Sequence, residues 1–128
     1  MECEFRYVSH DDLPKLKKMV YAIVEKSFVP DVTTKITDTF GFDEMERTEA
    51  TMQLLEVAKE AAKESGLPVP GPKLCGGGSD AAYTVQAGVA TLCSIGVEGA
   101  RNHTIEEWAD EASLYERTKL LMAFLCEL

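Results

Sequence analysis

The sequence predicts an α/β protein, and three observations predict it. Residues 2–8 alternate in the strand period: Cys3, Phe5 and Tyr7 take one face, Glu4 and Arg6 the other. Leu13, Leu16, Val20, Ile23, Val24 and Ser27 form one stripe at helical spacing. The run Val89-Ala-Thr-Leu-Cys-Ser-Ile-Gly96 follows a glycine loop and a short helical stretch and is apolar on both faces. A strand of that kind belongs inside a sheet covered by helices.

The elements follow in order. After the strand at 2–8, Ser9 is placed to cap a helix, with Asp12 three residues on. Pro14 falls in the first turns, where a missing N–H does least harm. Pro30 bars continuation, and a second strand is expected over about Thr33 to Phe40, rich in Thr and Ile. Gly41 to Glu46 reads as a linker. A helix is expected over about Glu46 to Ser65, burying Met52, Leu55, Val57, Ala58, Ala61 and Ala62. Gly66, Pro68 and Pro70 stop it. Pro68-Val-Pro-Gly-Pro72 is an extended connector. A short helix at Asp80 to about Ala87 precedes the apolar run. The last helix, about Glu111 to Leu128, is expected to bury Leu114, Thr118, Leu121, Phe124, Leu125 and Leu128.

The chain has 128 residues, enough for one ordinary domain or two small ones. Apolar content of 45% and charged content of 27% fit a folded, soluble protein. A net charge of −9 repels phosphate backbones, so nucleic acid is not an expected partner. No apolar run reaches the ~20 residues of a membrane span. Met1-Glu-Cys-Glu4 lacks the opening of a signal peptide. A cytoplasmic protein, or a piece of a longer one, is expected. Cys3, Cys75, Cys93 and Cys126 contain no Cys-x-x-Cys pair and read as buried free thiols.

Three features can carry chemistry. Gly76-Gly-Gly78 before a helix lets backbone approach a ligand and presents N–H groups to an anion; it serves equally as a tight turn. His103, between Asn102 and Thr104 with Glu106 and Glu107 nearby, can bind zinc through neutral imidazole, or stand as an exposed loop histidine. Arg6 can hold a carboxylate with a two-pronged fork, or lie solvated on a sheet surface. His10 is assigned no role.

The stretch Leu74-Cys-Gly-Gly-Gly-Ser-Asp-Ala-Ala82, then Gly88-Val-Ala-Thr-Leu92, Gly99…His103-Thr104, Glu107 and a Leu-rich helix with Arg117 resembles the C-terminal end of a zinc peptidase family. That family includes aminoacylase, glutamate carboxypeptidase, acetylornithine deacetylase, succinyl-diaminopimelate desuccinylase and peptidase T. Its pattern has Gly-Gly-Thr/Ser-Asp-Ala, then Gly-Val/Ile-Pro-Thr, then Gly-x-x-x-His-Thr/Ser-x-x-Glu; Ala90 stands here where proline is usual. Glu4-Phe-Arg-Tyr7 is similar to the strand that opens the second half of the family's ferredoxin-like lid, with Glu4 where Asp is common.

The resemblance implies the rest. Residues 1–41 are the second half of a lid or dimerisation domain, one strand-helix-strand unit. Residues 42–128 are the C-terminal part of a helix-covered α/β catalytic domain. The parent activity is zinc-dependent hydrolysis of an amide or peptide bond, of the exopeptidase (carboxypeptidase) or N-acyl amino acid deacylase (aminoacylase, deacetylase) type, with two zinc ions. His103 is one metal ligand; Arg6, Gly77, Gly78 and Ser79 contact a small peptide or N-acyl amino acid. No catalytic residue is assigned, because the family's other ligands and its catalytic base precede the matched region. The chain alone is therefore expected to be inactive, to retain zinc poorly, and to self-associate through unpaired strands. The competing expectations are a stand-alone, non-catalytic binding or oligomerisation module, and an anion-binding domain built on the glycine loop.

Overall fold

Four helices carry the architecture of the computed structural model, which describes residues 2–38 and 41–128. They are α1 (Asp12–Val24), α2 (Glu49–Glu64), α3 (Ala81–Gln86) and α4 (Glu111–Cys126). A short antiparallel hairpin, β1 (Gly99–Ala100) and β2 (Trp108–Ala109), precedes α4, with Gly99 opposite Ala109 and Ala100 opposite Trp108. Helices together with a small sheet fit the α/β class. No helix among the described residues is long and apolar enough to cross a membrane.

The boundaries of α2 follow from local chemistry. The Thr48 hydroxyl accepts the Thr51 N–H at 3.1 Å and caps the first turn. Gly66, at φ +64°, turns the chain at the far end. There the Gly66 N–H reaches the Lys63 carbonyl and the Leu67 N–H the Ala62 carbonyl, which satisfies two otherwise orphaned acceptors. At the start of α4, Asp110 accepts the Ala112 N–H at 3.0 Å. Helix α1 begins at Asp12 rather than at Ser9, and its N-cap, Asp11, makes no side-chain cap; the Ser9 carbonyl accepts the Asp12 N–H instead.

The core lies where α2 meets α4. Ala58 and Ala61 pack on Phe124, with Leu54, Val57, Leu92 and Ala123 around them. Small side chains on α2 allow the close approach, and Phe124 fills the space they leave. The buried face of α4 is Ser113, Leu120 and Phe124. The expected face is corrected accordingly: Phe124 is buried, but Leu114, Leu121, Leu125 and Leu128 are exposed. Helix α4 carries two apolar stripes, and only one meets α2. Helix α1 buries none of its residues fully, although Leu13, Leu16, Val20 and Val24 are half-covered.

The three strands expected at 2–8, 33–40 and 89–96 form no ladder among the described residues; Thr39 and Phe40 of the second lie outside them. A strand exists only through a partner's N–H and C=O groups, and none is offered here. In the third segment Ser94 also sits at φ +61°, outside the extended region. The four cysteines are free, as expected, but exposed rather than buried.

Candidate functional site

Two of the three sequence-picked features come together. The Arg6 Nη1 donates to the Gly76 carbonyl at 2.7 Å, seventy residues away in sequence, while its Nε donates to Glu4 at 2.7 Å. The Glu4 carboxylate raises the guanidinium's already high pKa, first through that hydrogen bond and then through its charge. Arg6 remains exposed, so its fork is partly engaged by protein and partly open to solvent.

The glycines of the loop do different things. None of Gly76, Gly77 and Gly78 has the left-handed φ that would demand glycine. What matters is space. A Cβ on Gly76 would lie 2.9 Å from Arg6 Nη1. A Cβ on Gly78 would lie 2.6–2.8 Å from the Phe42 side chain. One on Gly77 would meet only Cys75 Sγ, at an ordinary 3.8 Å. The Phe42 ring also lies tilted against Tyr83, centroids 6.5 Å apart.

Ser79 closes the loop. Its hydroxyl accepts the Ala81 N–H at 3.2 Å and lies 3.2 Å from Cys93 Sγ. The Ser79 hydroxyl, and after it that of Ser94, pulls the Cys93 thiol below the usual range by stabilising thiolate, against a smaller opposing effect of burial.

His103 sits apart, at the tip of the β1–β2 hairpin. The turn takes Arg101 to φ +61° and His103 to φ +66°. Thr104 holds it, its N–H and hydroxyl both reaching the Arg101 carbonyl at 3.2 and 2.7 Å. The His103 N–H donates to Glu107 at 3.2 Å, and Arg101 pairs with Glu106. A Cβ at Gly99 would strike the Trp108 carbonyl, so the hairpin closes only with glycine there. No hydrogen bond joins this tip to the glycine loop among the described residues. Nor do those residues contain a group of three or more His, Cys, Asp or Glu side chains able to hold a metal ion. One imidazole beside Glu107 does not fit a catalytic zinc, which takes three protein ligands. No step through a metal is derived from these residues.

The connector that reads as a linker contributes more than the sequence suggested. Glu44, in the 41–46 stretch, is buried to 3% side-chain exposure. Its Oε1 lies 3.0 Å from His10 Nδ1, and Glu46 accepts the His10 N–H at 2.9 Å. The Glu44 Oε2 is buried without a hydrogen-bond partner among the described residues. Tyr7 lies close by, and its phenol is pushed above the usual range, first by loss of water and then by the charges of Glu44 and Asp43. Neither His10 nor Glu44 carries a sequence signal, since neither belongs to a periodic face or a motif.

Comparisons with known proteins identify the family. A profile of the family described as "Peptidase family M20/M25/M40" matches residues 6–127. Carboxypeptidase G2 of Pseudomonas sp. (strain RS-16) is 25% identical over 127 residues, 95% of this chain and 31% of that protein. The chain thus spans about a third of the length of this curated relative. No solved structure gives a significant match.

Proposed function

Because the chain belongs to peptidase family M20/M25/M40, we propose that it supplies part of the substrate-binding surface of a zinc-dependent amide or peptide hydrolase. Residues 1–41 are read as the second half of a ferredoxin-like lid, and 42–128 as the C-terminal part of the catalytic domain. The observation that carries the reading is the 2.7 Å hydrogen bond from Arg6 to Gly76, which brings a guanidinium fork to the edge of the glycine loop.

The roles follow from the chemistry of these side chains. A substrate carboxylate displaces part of Arg6's present hydrogen bonding, exchanging Glu4 or Gly76 for a two-pronged contact. Gly77 and Gly78 allow the substrate main chain to lie against backbone, and the Ser79 hydroxyl offers a further hydrogen bond. His103 is proposed as one zinc ligand, the others coming from outside the present chain. Zinc supplies a polarised carbonyl and an activated water when bound. The substrate class is a small peptide or an N-acyl amino acid with a free carboxylate, the class suggested by a carboxypeptidase among its relatives.

The test is steady-state kinetics of the whole protein that carries this chain, on N-acyl amino acids and their amides. Arg6→Lys is expected to raise KM at least tenfold for the carboxylate substrates, because an ammonium cannot make the fork contact. It should leave the carboxyl-amide analogues unaffected. Equal KM values for the variant and the wild type on the acids would refute the reading.

A further inference from the structure

Glu44 is the only buried carboxylate among the described residues. Burying a carboxylate is costly unless it is paired, and here one oxygen is paired and the other is orphaned. That cost sits in a six-residue connector, and what the connector touches shows where it is recovered.

One end of the connector lies on the glycine loop, where the Phe42 ring covers Gly78 so closely that no Cβ fits. Two residues later Glu44 holds His10 through its ring, and Glu46 holds the same residue through its main-chain N–H. The Tyr7 phenol lies within reach of the charges of both Glu44 and Asp43, and the Tyr7–His10 stretch begins directly after Arg6. The connector therefore grips the loop with one hand and the arginine-bearing segment with the other. Without the second grip, Arg6 would be a long, flexible side chain on a segment that has no ladder and no buried apolar face of its own.

We propose that Glu44 is a positioning residue: by fastening His10 to the connector, it keeps the Arg6 guanidinium at the Gly76 carbonyl, where a substrate carboxylate is to be met. The importance of that position rests on the reading of Arg6 as carboxylate anchor; the fastening itself does not.

The experiment uses the full 128-residue chain, isotope-labelled, with Glu44→Ala and Glu44→Gln. Nuclear Overhauser contacts between the Arg6 side chain and Gly76 are read together with amide exchange. Glu44→Ala is expected to abolish those contacts and to speed exchange of the His10, Asp12 and Leu13 amides about tenfold, with α2 and α4 protection unchanged. Glu44→Gln, whose amide oxygen still accepts from His10, is expected to retain the contacts. Arg6–Gly76 contacts that survive Glu44→Ala overturn the proposal. So does an equal loss of protection in α2 and α4, which would make Glu44 merely structural, and so does failure of Glu44→Gln to hold the contact.

A titration of N-acetyl-L-glutamate into wild type and Arg6→Lys separates the two readings. Identical shifts in both proteins, with the Glu44 dependence of the Arg6–Gly76 contact intact, would remove the anchor role and leave the fastening in place.

Discussion

Replacing Gly78 with alanine tests the contact between the connector and the loop most directly. The added methyl would lie 2.6 Å from Phe42 Cγ and 2.8 Å from its Cβ and Cδ2. Carbon atoms rest about 3.5–4.0 Å apart, so the ring must retreat by roughly 1 Å. If the ring stays and the backbone yields, overpacking costs about 1–3 kcal/mol. Rotating the ring alone does not suffice, because the Phe42 Cβ is itself 2.8 Å away; if the connector backbone shifts and carries the ring into solvent, the loss is smaller. Phe42 is already 57% exposed, so less than half of a phenylalanine's burial is at stake, about 1 kcal/mol. The contact with Tyr83 goes with it.

The expected destabilisation of Gly78→Ala is therefore about 1–2 kcal/mol, or some 3–8 °C in Tm for a domain of this size. Thermal and urea melts followed by far-UV circular dichroism measure it. Gly77→Ala is the control: with free space and an ordinary φ it is expected to be neutral, or stabilising by about 0.4–1 kcal/mol through the unfolded chain. The double variant Phe42→Gly/Gly78→Ala should be no less stable than Phe42→Gly alone, since glycine removes the Phe42 Cβ as well as the ring, a coupling of about 1 kcal/mol. Additive effects, or a Gly78→Ala as harmless as Gly77→Ala, would refute the account of why the loop is built from glycine.

Four further outcomes are expected. Cys93 should react with iodoacetamide at neutral pH faster than Cys3, Cys75 and Cys126, and Ser79→Ala should slow it; peptide mass spectrometry reads both rates. Tyr7 has a raised pKa, so its contribution to stability is complete below the ordinary tyrosine value of about 10 and is lost as pH rises through the higher folded value. Tyr7→Phe should flatten the alkaline arm of a stability-versus-pH curve. Zinc titrated into the chain by calorimetry should bind weakly, with His103→Ala little different; tight binding abolished by that substitution would mean a complete site that the present geometry lacks. The chain should self-associate at micromolar concentration through uncovered apolar side chains such as Leu121 and Leu125, and Leu125→Glu should shift sedimentation toward monomer.

Helices were legible in the sequence because their signals are local. Thr48, Gly66 and Asp110 act on residues two to five positions away, and the α2 stripe at Leu55, Ala58, Ala61 and Ala62 is buried as its spacing predicts. Strands were less legible, because the alternation at 2–8 states only that a strand could form if a partner were beside it. The α4 face was misassigned because its sequence offers two apolar stripes and only the position of α2 chooses between them. Arg6 and the glycine loop were found by motif, and their contact across seventy residues was not foreseeable from either alone. Glu44 was invisible, since an acidic residue in a linker ordinarily faces water and its burial is decided by Tyr7, His10 and the connector's path.

The hydrogen bonds around Glu98 bear on the order in which the chain folds. The core joins Ala61 to Phe124, about sixty residues apart, whereas the Glu98 N–H reaches the Ser113 hydroxyl over fifteen. Loop closure costs about 0.6 kcal/mol per doubling of length, so the Glu98 link closes for about 1.2 kcal/mol less than the core contact. Asp110 and Arg117 join the same residue. The hairpin and the first turns of α4 can thus assemble as one small unit before α2 arrives. By that order, substitutions at Ser113 change the folding rate, while truncation of Phe124 chiefly hastens unfolding. A single glutamate at the foot of the hairpin thus ties the first two turns of the following helix into one short-range unit.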